Sequence, residues 1–401
     1  MNSLFPAWDQ AGVDTGAAIA AALATIRRNI ARFGDSYPDD TTRDGRYFPR
    51  PAGNGIPEGG NQGWTTSFWP GMQWLAWELS GEDEFRGAAV AHAADFARRV
   101  ANGRDLDTHD LGFLYTLSSV TAWQLLGIAA ARDAALRAAD HLMGRFLPAA
   151  GIIQAWGDLS DPVQRGRTII DSLMNLPLLT WAGQQTGDPR YDRAVRRHAG
   201  QLSRHMLRVD NSTFHTYYWD AETGQPRFGA TEQGAHDDSC WARGQAWGIY
   251  GFALTYRATG DPRLIEASRR CADYLLAHLP ADLVPCWDLA YGGDSDVSRD
   301  SSAAAIAACG LLELGGLDDG AGRYRRAADD ILDSLIVNYA PVPDGSSDAL
   351  LLRGVYDMPK GAGVDEGTLW GDYFYLEALT RRARPDWQPY WHVPQKDWCP
   401  C

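Results

Sequence analysis

The stretch "LTWAGQQTGDPRYDRAVRRHAGQLSRHM", Leu179–Met206, decides the fold, because it recurs as "LTYRATGDPRLIEASRRCADYLLAHL" at Leu254–Leu279. The shared core is T-G-D-P-R, at Thr186–Arg190 and Thr259–Arg263. Gly stops one helix, Asp caps the next, and Pro fits the first helical position because it has no N–H to lose there. Degenerate copies follow outward: "LAWELSGEDEFRGAAVAHAADFARRV" (Leu75–Val100, with Gly81 as the stop), "LLGIAAARDAALRAADHLMGRFL" (Leu125–Leu147) and "LLELGGLDDGAGRYRRAADDILDSL" (Leu311–Leu335). Each unit pairs an apolar, small-residue-rich helix with an amphipathic one of Ala-x-x-Ala spacing. The spacing is too long for tetratricopeptide or HEAT arrays. Helices apolar nearly all round belong inside, and those with a charged face outside. Inner helices buried throughout predict a closed ring, an all-α (α/α)6 barrel forming a single domain over 1–401, with 1–15 and 385–401 as peripheral tails. The strand signals are few, and "STFHTYYWD" (Ser212–Asp220) predicts a short hairpin arm.

Composition narrows the function. A net charge of −14 disfavours nucleic acid and anionic membranes as partners. No segment is apolar enough to span a bilayer. The first apolar run, Ala17–Ile26, follows Asp9 and Asp14 rather than basic residues, unlike a secretory signal. All six Cys lie beyond residue 239 without C-x-x-C spacing, which points to free thiols in a reducing, cytoplasmic compartment. Cys399 and Cys401 are expected in a frayed end. No metal-ligand cluster stands out, so no metal or cofactor is expected. The 16 Trp suit either a large helical core or a carbohydrate site, where flat rings meet sugar faces.

Polar and aromatic residues concentrate where inner helices begin: "NQGWTTSFWPG" (Asn61–Gly71), "THDLGFLYTLSS" (Thr108–Ser119), "IIQAWGDLSD" (Ile152–Asp161), "RTIIDSLMNLPLLTWAG" (Arg167–Gly183), "TFHTYYW" (Thr213–Trp219), "GATEQGAHDDSCWARGQAWG" (Gly229–Gly248) and "GTLWGDYFYLEAL" (Gly367–Leu379). In a ring these starts converge on one funnel. The Arg167–Gly183 run reads as a buried helix with Asp171 in its apolar middle, and an unpaired buried carboxylate is costly. Asp171 is therefore either a hydrogen-bond hub or a group whose pKa is meant to be disturbed. Asp110 is either a cap for the helix starting at Leu111 or a second carboxylate of the same pocket. Two such carboxylates suit acid/base chemistry on a glycosidic substrate. Arg243, between Trp241 and Trp247, reads as a stacked Arg or as a ligand, and His109 and His215 as structural or functional.

With "HDLGFLY", "IIDSLMNLPLL" and "CWARGQAWGIYGF" in view, the chain resembles the unsaturated glucuronyl hydrolases of glycoside hydrolase family 88, from "NIARFGDSYPD" to "GDYFYLEALTRR". "WARGQAW" is also similar to family 105. The resemblance implies an (α/α)6 barrel that removes a 4,5-unsaturated uronic acid from lyase-generated oligosaccharides. Asp171 matches the acid/base aspartate and Asp110 the second essential one. His109, His215, Gln233 and Arg243 match polar contacts, with Trp64, Trp156, Trp241 and Trp247 as aromatic lining. "VYDMPKGAG" (Val355–Gly363) lacks the serine-lysine pattern that accompanies sulfated substrates in some members, although Lys360 is in reach of an anionic group.

The implied chemistry is hydration of a vinyl ether. A proton is placed on C4, water adds at C5, and the resulting hemiketal opens and releases the linked sugar. One carboxyl group of raised pKa can serve as acid and then base. Arg243 and Gln233 are expected to hold the substrate carboxylate, the guanidinium in two-point geometry, with Trp64 and Trp247 on the flattened ring. Two other readings stand beside this one: an unsaturated rhamnogalacturonyl hydrolase, and a catalytically silent helical-toroid carbohydrate binder.

Overall fold

In the computed structural model, which describes residues 13–293, 295–317 and 322–393, the repeated joint folds as its residues dictate. Gly187, at φ 73°, closes helix Leu176–Thr186. Asp188 then accepts the Arg190 N–H at 2.9 Å and opens helix Pro189–His205. Gly260, at φ 69°, and Asp261 repeat the device, with Arg263 N as donor at 3.0 Å. Gly81 and Gly127 end their helices in the same left-handed conformation.

The helices are α1 (Thr15–Phe33), α2 (Phe68–Ser80), α3 (Asp83–Ala101), α4 (Leu111–Tyr115), α5 (Thr121–Leu126), α6 (Ala129–Met143), α7 (Leu176–Thr186), α8 (Pro189–His205), α9 (Ala242–Thr259), α10 (Pro262–Ala277), α11 (Ser301–Leu317), α12 (Arg323–Ser334) and α13 (Leu369–Ala383). A π-helical turn, Thr116–Val120, joins α4 to α5 as one rod. The rods α2, α4–α5, α7, α9, α11 and α13 each pack on the next, and α13 returns to α2, closing the ring. The helices α1, α3, α6, α8, α10 and α12 form the outer layer, each packed on inner neighbours. The partition follows the sequence pattern: nearly every residue of α11 is buried, whereas α8 buries one stripe, Tyr191, Ala194, Val195, His198, Ala199 and Leu202.

Short strands decorate one end. They are β1 (Phe146–Leu147) with β2 (Ile152–Ile153), β3 (Arg167–Ile169) with β4 (Thr216–Trp219) and β5 (Pro226–Ala230), and the hairpin β6 (Gly354–Asp357) with β7 (Ala362–Glu366), all antiparallel. The arm expected at Ser212–Asp220 is β4, paired with β5 and also with β3.

One boundary needs correction. Residues 385–393 are not a peripheral tail, because Tyr390 and Trp391 are 4% and 2% exposed. Trp391 stacks on Phe374 (centroids 5.9 Å) and donates Nε1–H to Glu377 Oε2 at 2.8 Å. Large aromatics bury more apolar area than a polar end requires, so the segment closes the far mouth of the barrel. Cys240, Cys271, Cys286 and Cys309 are free and buried. Cys399 and Cys401, expected in a frayed end, lie outside the described residues. No described helix is long and apolar enough to cross a membrane.

Candidate active site

Asp171 does not lie inside a helix, as the apolar run suggested. The β-branched pair Thr168 and Ile169 extends β3, paired with β4 so that Ile169 faces Thr216. A 3-10 turn, Ile170–Asn175, then carries Asp171 before α7 begins. The Ile170 N–H donates to the His215 carbonyl at 3.0 Å, which seats the acid-bearing turn beside the β4 arm.

The second carboxylate arrives on α4. Asp110 stands at its N-cap position but makes no capping bond from its side chain. Instead Oδ2 accepts the Thr108 hydroxyl at 2.7 Å, and Oδ1 lies 3.3 Å from His109 Nε2. The Asn175 amide nitrogen can only donate, so at 3.4 Å it makes His109 Nδ1 the acceptor and leaves the ring proton on Nε2, towards Asp110. Burial lowers the His109 pKa despite the adjacent Asp110 charge, so the ring is neutral near pH 7. A Cβ on Gly112 would lie 2.1 Å from Asn175 Cα, and only glycine lets α4 approach the 3-10 turn this closely.

The two carboxylates therefore act on one another. Burial, followed by the negative charge of Asp110, pushes the Asp171 carboxyl well above the usual range, and Arg243 opposes this only in part. Asp171 Oδ1 is buried and has no hydrogen-bond partner among the described residues. It is not a hub.

The other expected residues converge at the same end. Trp64 is half-buried, 5.1 Å from Trp370 between ring centroids, and donates Nε1–H to the Tyr356 hydroxyl at 3.1 Å. Trp156 lies beneath the Arg167 guanidinium, 5.4 Å from its ring centroid, next to Ala155, whose carbonyl accepts the His109 N–H at 3.0 Å. His215 packs on Trp241 at 4.4 Å. Its Nδ1 accepts the N–H groups of Glu232 (3.0 Å) and Gln233 (3.3 Å), which puts its proton on Nε2. That nitrogen is buried without a partner among the described residues, and burial followed by the charges of Arg243 and Lys360 brings the pKa down to about 3. His215 is thus a neutral donor available to a ligand.

Two expectations change. Arg243 is 1% exposed and is not a free fork for a carboxylate. Its guanidinium bonds the Val355 and Tyr356 carbonyls, lies 3.4 Å from Asp300 Oδ2, and is sandwiched between Trp241 (4.4 Å) and Trp370 (4.8 Å). The Gln233 amide also donates to the Tyr356 carbonyl, at 2.9 Å. Both residues anchor the β6–β7 hairpin over the site, and Arg243 adds positive charge beside Asp171. Trp247, also 1% exposed, packs on Phe113 (5.4 Å) and Phe374 (5.3 Å), so it forms the floor and not an open face of the cup. Tyr356 and Trp370 escaped the sequence reading. Trp370 sits two residues past Thr368, which caps α13, so it occupies the same helix-start position as the other site residues.

A family model described as Glycosyl Hydrolase Family 88 matches residues 49–315. An unsaturated chondroitin disaccharide hydrolase of Streptococcus pyogenes serotype M1 is 45% identical over 382 residues, 94% of this chain and 93% of that protein. The crystal structure of an unsaturated glucuronyl hydrolase from Bacillus sp. GL1, described as responsible for the degradation of glycosaminoglycan, superposes with a TM-score of 0.90 at 42% identity, covering 96% of this chain and 100% of that one. A mutant unsaturated glucuronyl hydrolase from Streptococcus agalactiae, complexed with dGlcA-GalNAc6S, gives a TM-score of 0.80 at 38% identity, covering 94% and 93%.

Proposed function

The chain belongs to Glycosyl Hydrolase Family 88, and from that premise we propose how its residues carry the reaction. It is an unsaturated glucuronyl hydrolase: it removes the 4,5-unsaturated uronic acid from the non-reducing end of lyase-generated oligosaccharides. The one observation that carries the mechanism is Asp171, a carboxyl group with a raised pKa and an unpartnered oxygen.

Protonated Asp171 delivers its proton to C4 of the enol ether. Positive charge develops at C5 and the ring oxygen, and the Asp110 charge stabilises it. Asp171, now a carboxylate, takes a proton from the water that adds at C5. The hemiketal opens and the linked sugar leaves. The proton taken from that water leaves Asp171 neutral again for the next turnover, the form that burial and then Asp110 both favour. The substrate carboxylate faces the His215 Nε2–H donor and the positive field of Arg243, and Trp64 gives the flattened ring an open aromatic edge. Activity in the reducing, cytoplasmic compartment accords with the four free thiols.

For the substrate we assign unsulfated disaccharides of the glycosaminoglycan type. Lys360, in the turn between β6 and β7, is the cation we assign to a sulfate, and its ammonium already pairs with Asp357 Oδ2 at 2.7 Å. A panel of lyase-generated disaccharides, followed by loss of the enol-ether absorbance, tests this. Unsulfated chondroitin-type disaccharide should turn over about three- to tenfold faster than its 6-sulfated form, a difference on the order of 1 kcal/mol. Consumption of pectin-derived fragments alone would favour the rhamnogalacturonyl reading. Consumption of nothing would favour the silent binder.

A further inference from the structure

Among the described residues nothing holds the Asp171 carboxyl through Oδ1, so its aim depends on the turn that carries it. We propose that His198, on the outer helix α8, is a positioning residue for Asp171: it fixes the Ser172 hydroxyl that pins that turn. His198 is 0% exposed and lies on the inward stripe of its helix, behind the site.

The bonds run in one direction. The Ile153 N–H donates to His198 Nδ1 at 2.9 Å, so that nitrogen carries no proton. The neutral ring then bears its proton on Nε2, 2.7 Å from Ser172 Oγ. Ser172 Oγ also receives the Thr168 hydroxyl at 3.3 Å and passes its own hydrogen to the Ile169 carbonyl at 2.6 Å. That last bond clamps the strand end to the turn across Asp171. The inference rests on Asp171 being the acid. Burial, with a smaller effect from His109, brings the His198 pKa down to about 3, so the ring is neutral near pH 7.

Two variants divide the ring's two bonds. In His198→Gln the amide nitrogen falls near Nε2 and still donates to Ser172. In His198→Asn the amide oxygen falls near Nδ1 and keeps only the Ile153 bond. The test measures kcat, KM and melting for both, together with Ser172→Ala, the Ser172→Ala/His198→Asn double variant and Asp171→Asn. The expected result is a kcat loss of at least about tenfold in His198→Asn and in Ser172→Ala with KM nearly unchanged, since a small misplacement of a reacting group is costly. His198→Gln should keep kcat within about threefold, and the double variant should be no worse than either single one, as for residues of one chain of bonds. Wild-type kcat in Ser172→Ala, additive losses in the double variant, or a Gln variant worse than the Asn variant would each overturn the proposal. If a His198 variant does not fold, Ser172→Ala and its kcat decide. An active Asp171→Asn would instead overturn the assignment of the acid, a separate outcome.

Discussion

Two carboxylates sit within the same ring of inner helices and end in opposite states. Glu313, on α11 at the far mouth, is 0% exposed and accepts hydrogen bonds from Arg257 Nε (2.6 Å), Arg381 Nη2 (2.9 Å) and His392 Nε2 (2.8 Å). Burial pushes its carboxyl up, but His392, Arg381 and Arg257 more than offset this and hold it well below the usual range. Asp171 is less thoroughly enclosed, yet burial pushes its carboxyl well up and the strongest neighbouring charge, the negative one of Asp110, adds to this where cations would offset it. The depth of burial does not separate the two groups; the partners do. One end of the barrel uses a buried charge to tie α9, α11, α13 and the closing segment together. The other end leaves a buried carboxyl unpartnered among the described residues, where it can react.

The largest effect expected from this contrast is on stability at the far mouth. Glu313→Gln leaves the cations around it without their shared anion and should cost about 3–5 kcal/mol in denaturant unfolding, while kcat of the folded fraction stays at the wild-type value. A stable Glu313→Gln would mean the network is not a structural tie.

Asp171→Asn should do the reverse. It keeps shape and loses the proton, so turnover should fall at least a hundredfold, about 2.7 kcal/mol of barrier, with substrate binding retained. Linkage gives opposite signs for the two sites. Asp171, raised in the folded state, contributes stability that is full below the ordinary aspartate range and is lost as pH rises through its raised value; Asp171→Asn should thus melt above wild type near neutral pH and match it in acid. Glu313, lowered in the folded state, contributes stability that is present above the ordinary glutamate range and is lost as pH falls.

Arg243→Ala comes next, at roughly 2 kcal/mol in kcat/KM. Because Arg243 opposes the upward shift of Asp171, its removal should also move the alkaline limb of kcat to higher pH. An unmoved limb with a loosened β6–β7 hairpin would reduce Arg243 to an anchor.

Much of this was legible in local chemistry. Gly187, Asp188 and Pro189 act within a few residues of one another, so the T-G-D-P-R joints and the inner and outer helices could be read directly. Asp171 betrayed itself by standing in an apolar run. The setting of Asp171 was not legible, because β3 is a strand only by pairing with Tyr217 and its neighbours, far along the chain. Nor were the partners of Arg243, carbonyls on a hairpin more than a hundred residues away. The closing role of Trp391 depends likewise on Phe374 and Glu377 of the helix before it, although Trp387, Tyr390 and Trp391 were a signal that the segment is not solvated.

The central claim is that Asp171 holds a proton under conditions where ordinary aspartates do not. The infrared difference spectrum of wild type minus Asp171→Asn, recorded from about pH 4 to 8, reads that proton directly, since ordinary aspartates ionise near pH 4. The expected result is a protonated-carboxyl C=O band that outlasts the range in which ordinary aspartates ionise and is lost only at higher pH, as the carboxylate bands grow in. A band that disappears together with those of ordinary aspartates, near pH 4, would contradict that claim.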